Sequence, residues 1–282
     1  MERNLKKYFP IFVLPTLAAF MIAFFIPFLQ GIYLSFCKFT TVSDAKWVGF
    51  SNYVKAFTKN KDFIHALWFS TRFTIVSIIL INLIAFPVAF LLTRKLKGTN
   101  FFRTAFFMPN LIGGIVLGYI WQLILNGILI ATKGVDITYS ATYGFWGLVI
   151  VTLWQQVGYM MIIYIAGIQN ISHELIEAAE IDGATNWQTL TKIIIPMVMP
   201  SITICTFLTL TNSFKLFDQD LALTAGNPRK LTQTLALDIF KTFYGRTGWE
   251  GVGQAKAVIF FLIVALIAFI QLRLTRSREV EN

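Results

Sequence analysis

Apolar residues dominate the chain in six stretches, and polar segments separate them. The stretches run from about Phe9 to Phe36, Phe69 to Leu92, Ala105 to Leu125, Phe145 to Ile168, Met197 to Leu216 and Ala257 to Leu272. A bilayer core of roughly 30 Å needs about 20 apolar residues per helical crossing, so each stretch predicts one membrane span. Helices are the expected form, because lipid offers no partner for a free backbone N–H or C=O. A membrane barrel would instead show short segments of alternating polarity, and none is visible. Pro87 interrupts the second stretch, Pro109 stands near the start of the third, and Pro200 falls in the first turn of the fifth. Arg3, Lys6 and Lys7 ahead of the first stretch give it the look of a signal peptide. The stretch is too long for one and no small-residue cleavage site follows, so it reads as a retained span.

Composition sharpens this picture. Of 282 residues, 56% are hydrophobic and only 13% charged, against roughly 25% charged in soluble domains. The net charge of +10 does not point to nucleic acid. No basic stretch is interleaved with aromatic residues away from the predicted spans, and basic residues at membrane faces anchor helices and meet anionic lipid. Cys37 and Cys205 lie far apart in or beside apolar sequence and predict neither a disulfide framework nor a metal site. His65 and His173 have no carboxylate or cysteine at ligand spacing.

Six spans put both ends of the chain on one side. Arg3, Lys6 and Lys7 precede the first span. Arg94, Lys95, Lys97 and Arg103 link the second to the third, and Arg273, Arg276 and Arg278 follow the sixth. The basic-residue rule assigns these segments to the cytoplasm. Two longer segments of opposite assignment also carry basic residues: five lysines between Cys37 and Trp68, and Arg229, Lys230, Lys241 and Arg246 between Asp218 and Gln254.

The link from Gln169 to Pro196 is the most informative. Ser172 is a good N-cap, with Glu174 favourable in the first turn. Leu175, Ala178, Ala179 and Asp182 fall on neighbouring rows of one helix face. Gly183 suits the left-handed conformation that ends a helix. Thr185 and Gln188 have capping-box spacing for a second helix, which Pro196 ends or kinks. The alanines let another surface approach closely, and Glu177 and Asp182 place charge at the rim of that contact. By these features alone the link is either a docking knob or an ordinary surface helix pair.

The string Glu177-Ala178-Ala179-Glu180-Ile181-Asp182-Gly183-Ala184, with Ile193 and Pro196 downstream, resembles the EAA motif of permease subunits in binding-protein-dependent ATP-binding-cassette importers. The resemblance continues along most of the chain. Trp47-Val48-Gly49-Phe50-Ser51-Asn52-Tyr53 resembles the Val-Gly-Leu-x-Asn-Tyr pattern of the carbohydrate branch. Phe101-Phe102-Arg103 with Phe107-Met108-Pro109 resembles the start of that branch's third span. Leu223-Thr224-Ala225-Gly226-Asn227-Pro228 resembles its Leu-Thr-x-Gly-Gly-Pro stretch, with Asn227 in place of the second glycine. The maltose, multiple-sugar and glycerol-phosphate permeases form the closest group. The maltose subunit's large extra domain has no counterpart in the short segment after the first span.

The resemblance implies an all-α type I importer permease fold over residues 1–282. It implies a cytoplasmic N-terminus (1–8), a six-helix membrane region (9–272), a cytoplasmic coupling loop (169–196) and a cytoplasmic tail (273–282). Glu177, Ala178, Ala179, Asp182, Gly183 and Ala184 would form the coupling surface that sits in a groove of an ATPase subunit. The implied partners are a second homologous permease, two ATPase subunits that hold ATP and magnesium, and an extracytoplasmic solute-binding protein. The implied location is the bacterial cytoplasmic membrane, and the implied cargo is a carbohydrate, or alternatively glycerol phosphate.

Polar residues inside spans are costly and tend to face a bundle interior or a water-filled path. The fourth span offers Trp154, Gln155, Gln156, Tyr159 and Tyr164. The fifth offers Thr206, Thr209, Thr211, Asn212, Ser213 and Lys215, followed by Asp218 and Asp220. Sugars are held by amide and hydroxyl hydrogen bonds with an aromatic ring on the apolar face. Gln155, Gln156, Tyr159, Thr209, Asn212 and Ser213 are therefore the candidate substrate residues; hydrogen bonding between helices is the alternative role. By the resemblance, Tyr159 matches a sugar-contacting tyrosine, whereas the family has glycine where this chain has Gln156. Lys215 and Asp218 are spaced for an ion pair on one helix face.

No phosphate-binding Gly-x-x-x-x-Gly-Lys-Ser/Thr stretch occurs. No nucleophile set, paired-carboxylate set or metal motif stands out either. The chain is expected to hold no cofactor and no catalytic residue, with energy entering from a partner. An ion-coupled secondary transporter would show internal repeats around the midplane, and an intramembrane enzyme would need clustered reactive side chains; neither pattern is visible.

Overall fold

The computed structural model describes residues 2–59, 61–94 and 97–276. Lys95 and Arg278, and the tail from residue 277 onward, lie outside them. The described residues form two compact units. One contains the residues up to Phe63 together with Ile239–Phe261; the other contains Ile64–Asp238 together with the residues from Leu262 on.

The first unit opens with α1 (Glu2–Phe20), which runs through a π-helical segment, Met21–Phe25, into α2 (Ile26–Ser35). The apolar part of this run is long enough to cross a bilayer. A two-residue hairpin pairs β1 (Cys37–Lys38) with β2 (Lys46–Trp47) in antiparallel register, Cys37 opposite Trp47. Helix α3 (Ser51–Thr58) follows. The Trp47–Tyr53 pattern has a physical reason here. The Asn52 side chain, 3% exposed, donates to the carbonyls of Ser35 at 2.9 Å and Cys37 at 2.8 Å. The Tyr53 and Ser35 hydroxyls are 2.6 Å apart, and Phe36 stacks on Trp47 at 5.2 Å. These contacts close off a helix end that would otherwise leave carbonyls unpaired.

The long helix α4 (Lys61–Leu92) continues through Pro87. Helix α5 (Thr99–Phe107) ends in a 3-10 turn, Met108–Leu111, and α6 (Gly114–Lys133) restarts the chain. The third apolar stretch is therefore two helices, and Pro109 sits in the break between them rather than near the start of a span. Proline cannot donate to the helix ladder, and the chain passes from α-helix into the 3-10 turn there. Next come α7 (Ala141–Gln169), α8 (His173–Ile181), α9 (Asn186–Thr189), a π-helical segment Leu190–Ile194, and α10 (Ile195–Met197). Helix α11 (Met199–Phe214) is bent by 66° from the helical run Asn186–Met197. Pro196 lies two residues ahead of the break at Val198 and Pro200 two residues after it, as their chemistry predicts. Helices α12 (Asp218–Leu223), α13 (Leu235–Tyr244) and α14 (Glu250–Arg276) complete the described residues. Among the described residues, five helices are long and apolar enough to cross a membrane, or six if the bent pair is one span.

Two apolar clusters fill the second unit. One joins α4 to α7 and α11 through Ile81, Ala85, Val157, Met160, Met161, Tyr164 and Cys205, and it extends to Ile171, Ile194 and Val198. The other gathers Phe69, Phe73, Leu117, Phe145, Leu148 and Leu223 from α4, α6, α7 and α12, with Leu216 from the link between α11 and α12. Small residues set the closest approaches. A Cβ on Gly158 of α7 would overlap the Phe106 carbonyl, and one on Gly167 would overlap the Ser201 hydroxyl. Such close approach suits membrane bundles, where association depends on packing rather than on expulsion of water.

Candidate functional site

Two interruptions of helix meet at one polar cleft. The first is the break from Met108 to Gly113, where Ile112 and Gly113 are extended. The second lies between α11 and α12, where Lys215 is the C-cap of α11 and Phe217 departs from helical geometry. Irregular backbone at membrane depth is tolerated where it is buried in protein or lines a water-filled cavity. A cleft of about 390 Å³ lies between these breaks, bordered by Asn110, Gln155, Gln156, Asn212, Lys215 and Asp218 together with Leu216, Phe217 and Gln219.

Three of the predicted substrate residues reach this cleft: Gln155, Gln156 and Asn212. The other three do not line it. Thr209 and Ser213 are fully buried, and their hydroxyls have no hydrogen-bond partner among the described residues. Tyr159 is half-buried and rests against the Phe107 ring at 6.4 Å. Trp154 is 44% exposed and meets the edge of Trp121. Lys215 and Asp218 both border the cleft but form no ion pair among the described residues, contrary to the sequence expectation. Helix α11 ends before Lys215, so the two residues never share a helix face. Asn110 and Gln219 border the cleft without having stood out in sequence. Their signals were faint: an amide following Pro109, and an amide between Asp218 and Asp220.

The Gln169–Pro196 link folds as its local chemistry predicts. The Ser172 hydroxyl accepts from the Glu174 amide at 3.2 Å. At the end of α8 the Gly183 amide donates to Glu180 and the Ala184 amide to Ala179, at 3.1 and 2.9 Å. This is the paired closure that a left-handed residue permits, and Gly183 has φ +77°. Thr185 and Gln188 form a reciprocal capping box at the start of α9. Of the coupling candidates, Ala178, Ala179, Asp182, Gly183 and Ala184 border one cleft of about 450 Å³ with Leu175, Gln188 and Lys192. Glu177 is exposed beside it and is not part of its lining.

Sequence reasoning left two residues of this region unassigned: Ile181 is 86% exposed and Trp187 is 71% exposed. Both are large apolar side chains that stand out of a polar link. The underside is anchored differently. Ile171 and Ile194 are buried in the Met160–Tyr164 cluster, with Ile176 and Leu190 packed against it.

The Leu223–Pro228 loop explains its departure from the family pattern. Positive φ falls at Ala225 (50°) and Gly226 (82°), and again at Arg229 (49°) and Lys230 (65°). Asn227 is outside that set, so glycine is not needed there. The buried Asp220 carboxylate accepts from the Thr224 hydroxyl at 2.6 Å and the Thr234 amide at 2.8 Å, holding the loop from beneath.

Long apolar helices, a polar cleft between helix breaks and a rigid exposed helix pair define a multi-pass membrane transport subunit. Residues 81–280 match the family of binding-protein-dependent transport system inner membrane components, and the chain belongs to that family. It is a membrane-spanning permease subunit rather than the ATP-hydrolysing one. It is 43% identical over 280 residues to the probable starch degradation products transport system permease protein AmyD of Thermoanaerobacterium thermosulfurigenes, covering 96% of this chain and 94% of that one. It is 31% identical over 291 residues to the multiple sugar-binding transport system permease protein MsmF of Streptococcus mutans, covering 99% of each. Its fold is similar to a chain in the crystal structure of a bacterial ABC transporter that imports the acidic polysaccharide alginate. There the TM-score is 0.82, the identity 19% and the coverage 98% of both chains. A chain of the alginate transporter in complex with its alginate pentasaccharide-bound periplasmic protein gives a TM-score of 0.76 at 18% identity, covering 98% of this chain and 95% of that one.

Proposed function

We propose that this permease forms half of the path by which a carbohydrate, a sugar or an oligosaccharide, crosses the bacterial cytoplasmic membrane. A second, homologous permease supplies the other half. Two ATPase subunits bind on the cytoplasmic side, and an extracytoplasmic binding protein delivers the solute. Both termini and the α8–α9 pair face the cytoplasm. The carbohydrate assignment draws on the names of AmyD and MsmF together with the amide-rich lining of the cleft.

One observation carries the importer reading: the Glu-Ala-Ala stretch is a stiff, doubly capped helix pair whose upper side is exposed and whose underside is packed into the helix core. Ile181 and Trp187 stand outward. Ile171, Ile176 and Leu190 connect the pair to Val157, Met160 and Met161 of α7. Val157 adjoins Gln156 in the sequence, so displacement of the knob is transmitted along α7 to the cleft. ATP binding draws the ATPases together, the knobs follow, and the path opens outward. Each ligand shifts this equilibrium only by its differential affinity for the two states.

Within the cleft, Gln156 and Asn212 offer amides to solute hydroxyls. The Gln156 side-chain oxygen, on a residue 6% exposed, has no partner among the described residues, so an incoming hydroxyl would satisfy a buried acceptor. Tyr159, Thr209 and Ser213 belong to the surrounding helix interface in this conformation.

The test is reconstitution. The chain is co-expressed with its companion permease, ATPase and binding protein, purified, and placed in proteoliposomes. Co-purification of the ATPase and ATP-dependent uptake of a saccharide from a panel of mono- and oligosaccharides are the expected results. Uptake driven by an ion gradient without an ATPase would overturn the reading.

A further inference from the structure

Gln155 occupies a position no other residue of the cleft shares. It projects from the unbroken helix α7, is 9% exposed, and has both ends of its carboxamide engaged. Its Nε2 donates to the Ile112 carbonyl at 3.2 Å, and its Oε1 accepts from Gln219 Nε2 at 2.7 Å. Ile112 belongs to the break before α6, and Gln219 belongs to α12, just past the break that ends α11. One side chain therefore joins the two interrupted segments across the face of a third helix. A carboxamide is suited to this because it donates at one end and accepts at the other while staying neutral. The Ile112 carbonyl fixes which end is which, since it requires a donor.

The neighbouring amide is arranged oppositely. Gln156 borders the same cleft, is equally withdrawn from solvent, and keeps its acceptor unmatched among the described residues. Helices α6 and α12 are close-packed without Gln155's help: a Cβ on Gly114 would meet Asp218 Cβ at 2.6 Å, and one on Gly118 would meet Ala222 Cβ at 2.8 Å. Gln122 Nε2 also donates to the Leu223 carbonyl at 2.9 Å. The α6–α12 pair is thus one body, and Gln155 is a polar tie from that body to α7.

We infer that Gln155 is a positioning residue for transport, a clasp that sets the separation of the cleft walls, and that it is not itself a ligand of the solute. This rests on the importer reading and divides its two adjacent amides into one that holds and one that reads. Because each arm of the clasp is a single neutral hydrogen bond, loss of an arm changes the rate about three- to tenfold.

A double-mutant cycle in the reconstituted transporter tests it, using Gln155→Leu, Gln219→Leu and the pair together. Maximal uptake rate, half-saturating solute and binding-protein-stimulated ATP hydrolysis are measured for each. The clasp predicts that Gln219→Leu, which removes one arm, lowers maximal uptake about three- to tenfold, that Gln155→Leu, which removes both, lowers it at least as much, each with little change in half-saturation, and that the pair is no worse than Gln155→Leu alone. Gln156→Leu, by contrast, raises half-saturation. Additive losses with a rise in half-saturation for Gln155→Leu would make it a ligand and overturn the inference; so would uptake unchanged in both single variants. Should Gln155→Leu fail to assemble, Gln219→Leu alone removes one arm and is read the same way. A parent complex that imports no saccharide would sink the carbohydrate assignment instead, with the cycle still readable on stimulated ATP hydrolysis.

Discussion

The Tyr164 hydroxyl donates to the Asn82 side-chain oxygen at 2.6 Å, joining α7 to α4 across 82 positions of sequence. Asn82 also donates to the carbonyl of Ile78 one turn back, at 2.7 Å. Both amide functions of Asn82 are thereby matched inside the bundle. Tyr164, 1% exposed, was one of the polar residues that sequence alone could have placed on a solute path. The bond makes it structural. Tyr164→Phe is expected to lower the stability of the assembled complex by about 1 kcal/mol, in the range of hydrogen bonds between membrane helices. Thermal denaturation of the detergent-solubilised complex measures this, and half-saturating solute for uptake should not move.

The contact between α7 and the end of α5 predicts a steric result. Gly158→Ala forces a methyl onto the Phe106 carbonyl, and backbone cannot step aside as a side chain can. A loss of about 2–4 kcal/mol is expected. Gly127→Ala, on α6 with no atom within 4 Å of the added Cβ, is the control and should be neutral or slightly stabilising. Equal thermal stability of the two variants would mean that α5 and α7 do not meet as described.

For the coupling loop, Gly183→Pro removes the amide that closes α8 and demands φ near −65°, where the native value is +77°. Glu177→Lys reverses an exposed charge beside the Ala178–Asp182 cleft. Both variants should insert and assemble normally, yet lose the stimulation of ATP hydrolysis by solute-loaded binding protein. Stimulation at the parent level in both would remove the docking role.

Asp44 supplies a pH dependence outside the spans. Its carboxylate accepts from the Thr40 hydroxyl at 2.7 Å, the Thr40 amide at 2.9 Å and the Thr41 amide at 3.0 Å. These bonds, the Thr40 hydroxyl first, hold it below the usual carboxylate range. A depressed folded-state value means that the loop's stabilisation is present above the ordinary aspartate pKa of about 3.9 and is lost as pH falls through the lower value. The protection of the Thr40 and Thr41 amides, taken relative to intrinsic exchange at each pH, should fall on acidification below that range. Asp44→Ala, which removes the acceptor, should lose that protection at every pH.

Much of this architecture was legible in the residues because the signals are local. The Ser172 cap, the Gly183 reversal and the Thr185–Gln188 box each depend on neighbours within a few positions, and all appear as expected. The apolar stretches gave the spans for the same reason: lipid enforces hydrogen bonding within each segment. Legibility failed where the outcome depended on partners distant in sequence. Gln155 and Gln156 look alike in the chain, but only Gln155 faces Ile112 and Gln219. Lys215 and Asp218 have helical spacing but lie on either side of a helix end. The third stretch appeared continuous because hydropathy does not register the turn at Pro109.

The position of the α8–α9 pair relative to the membrane decides the account most directly. Asp182→Cys, in the otherwise native chain whose Cys37 and Cys205 are fully buried, is exposed in whole cells and in inside-out vesicles to a membrane-impermeant maleimide. Labelling in inside-out vesicles alone, with protection when the ATPase subunit is bound, is the predicted result. Labelling from outside intact cells would put the helix pair beyond reach of any ATPase and contradict the importer mechanism.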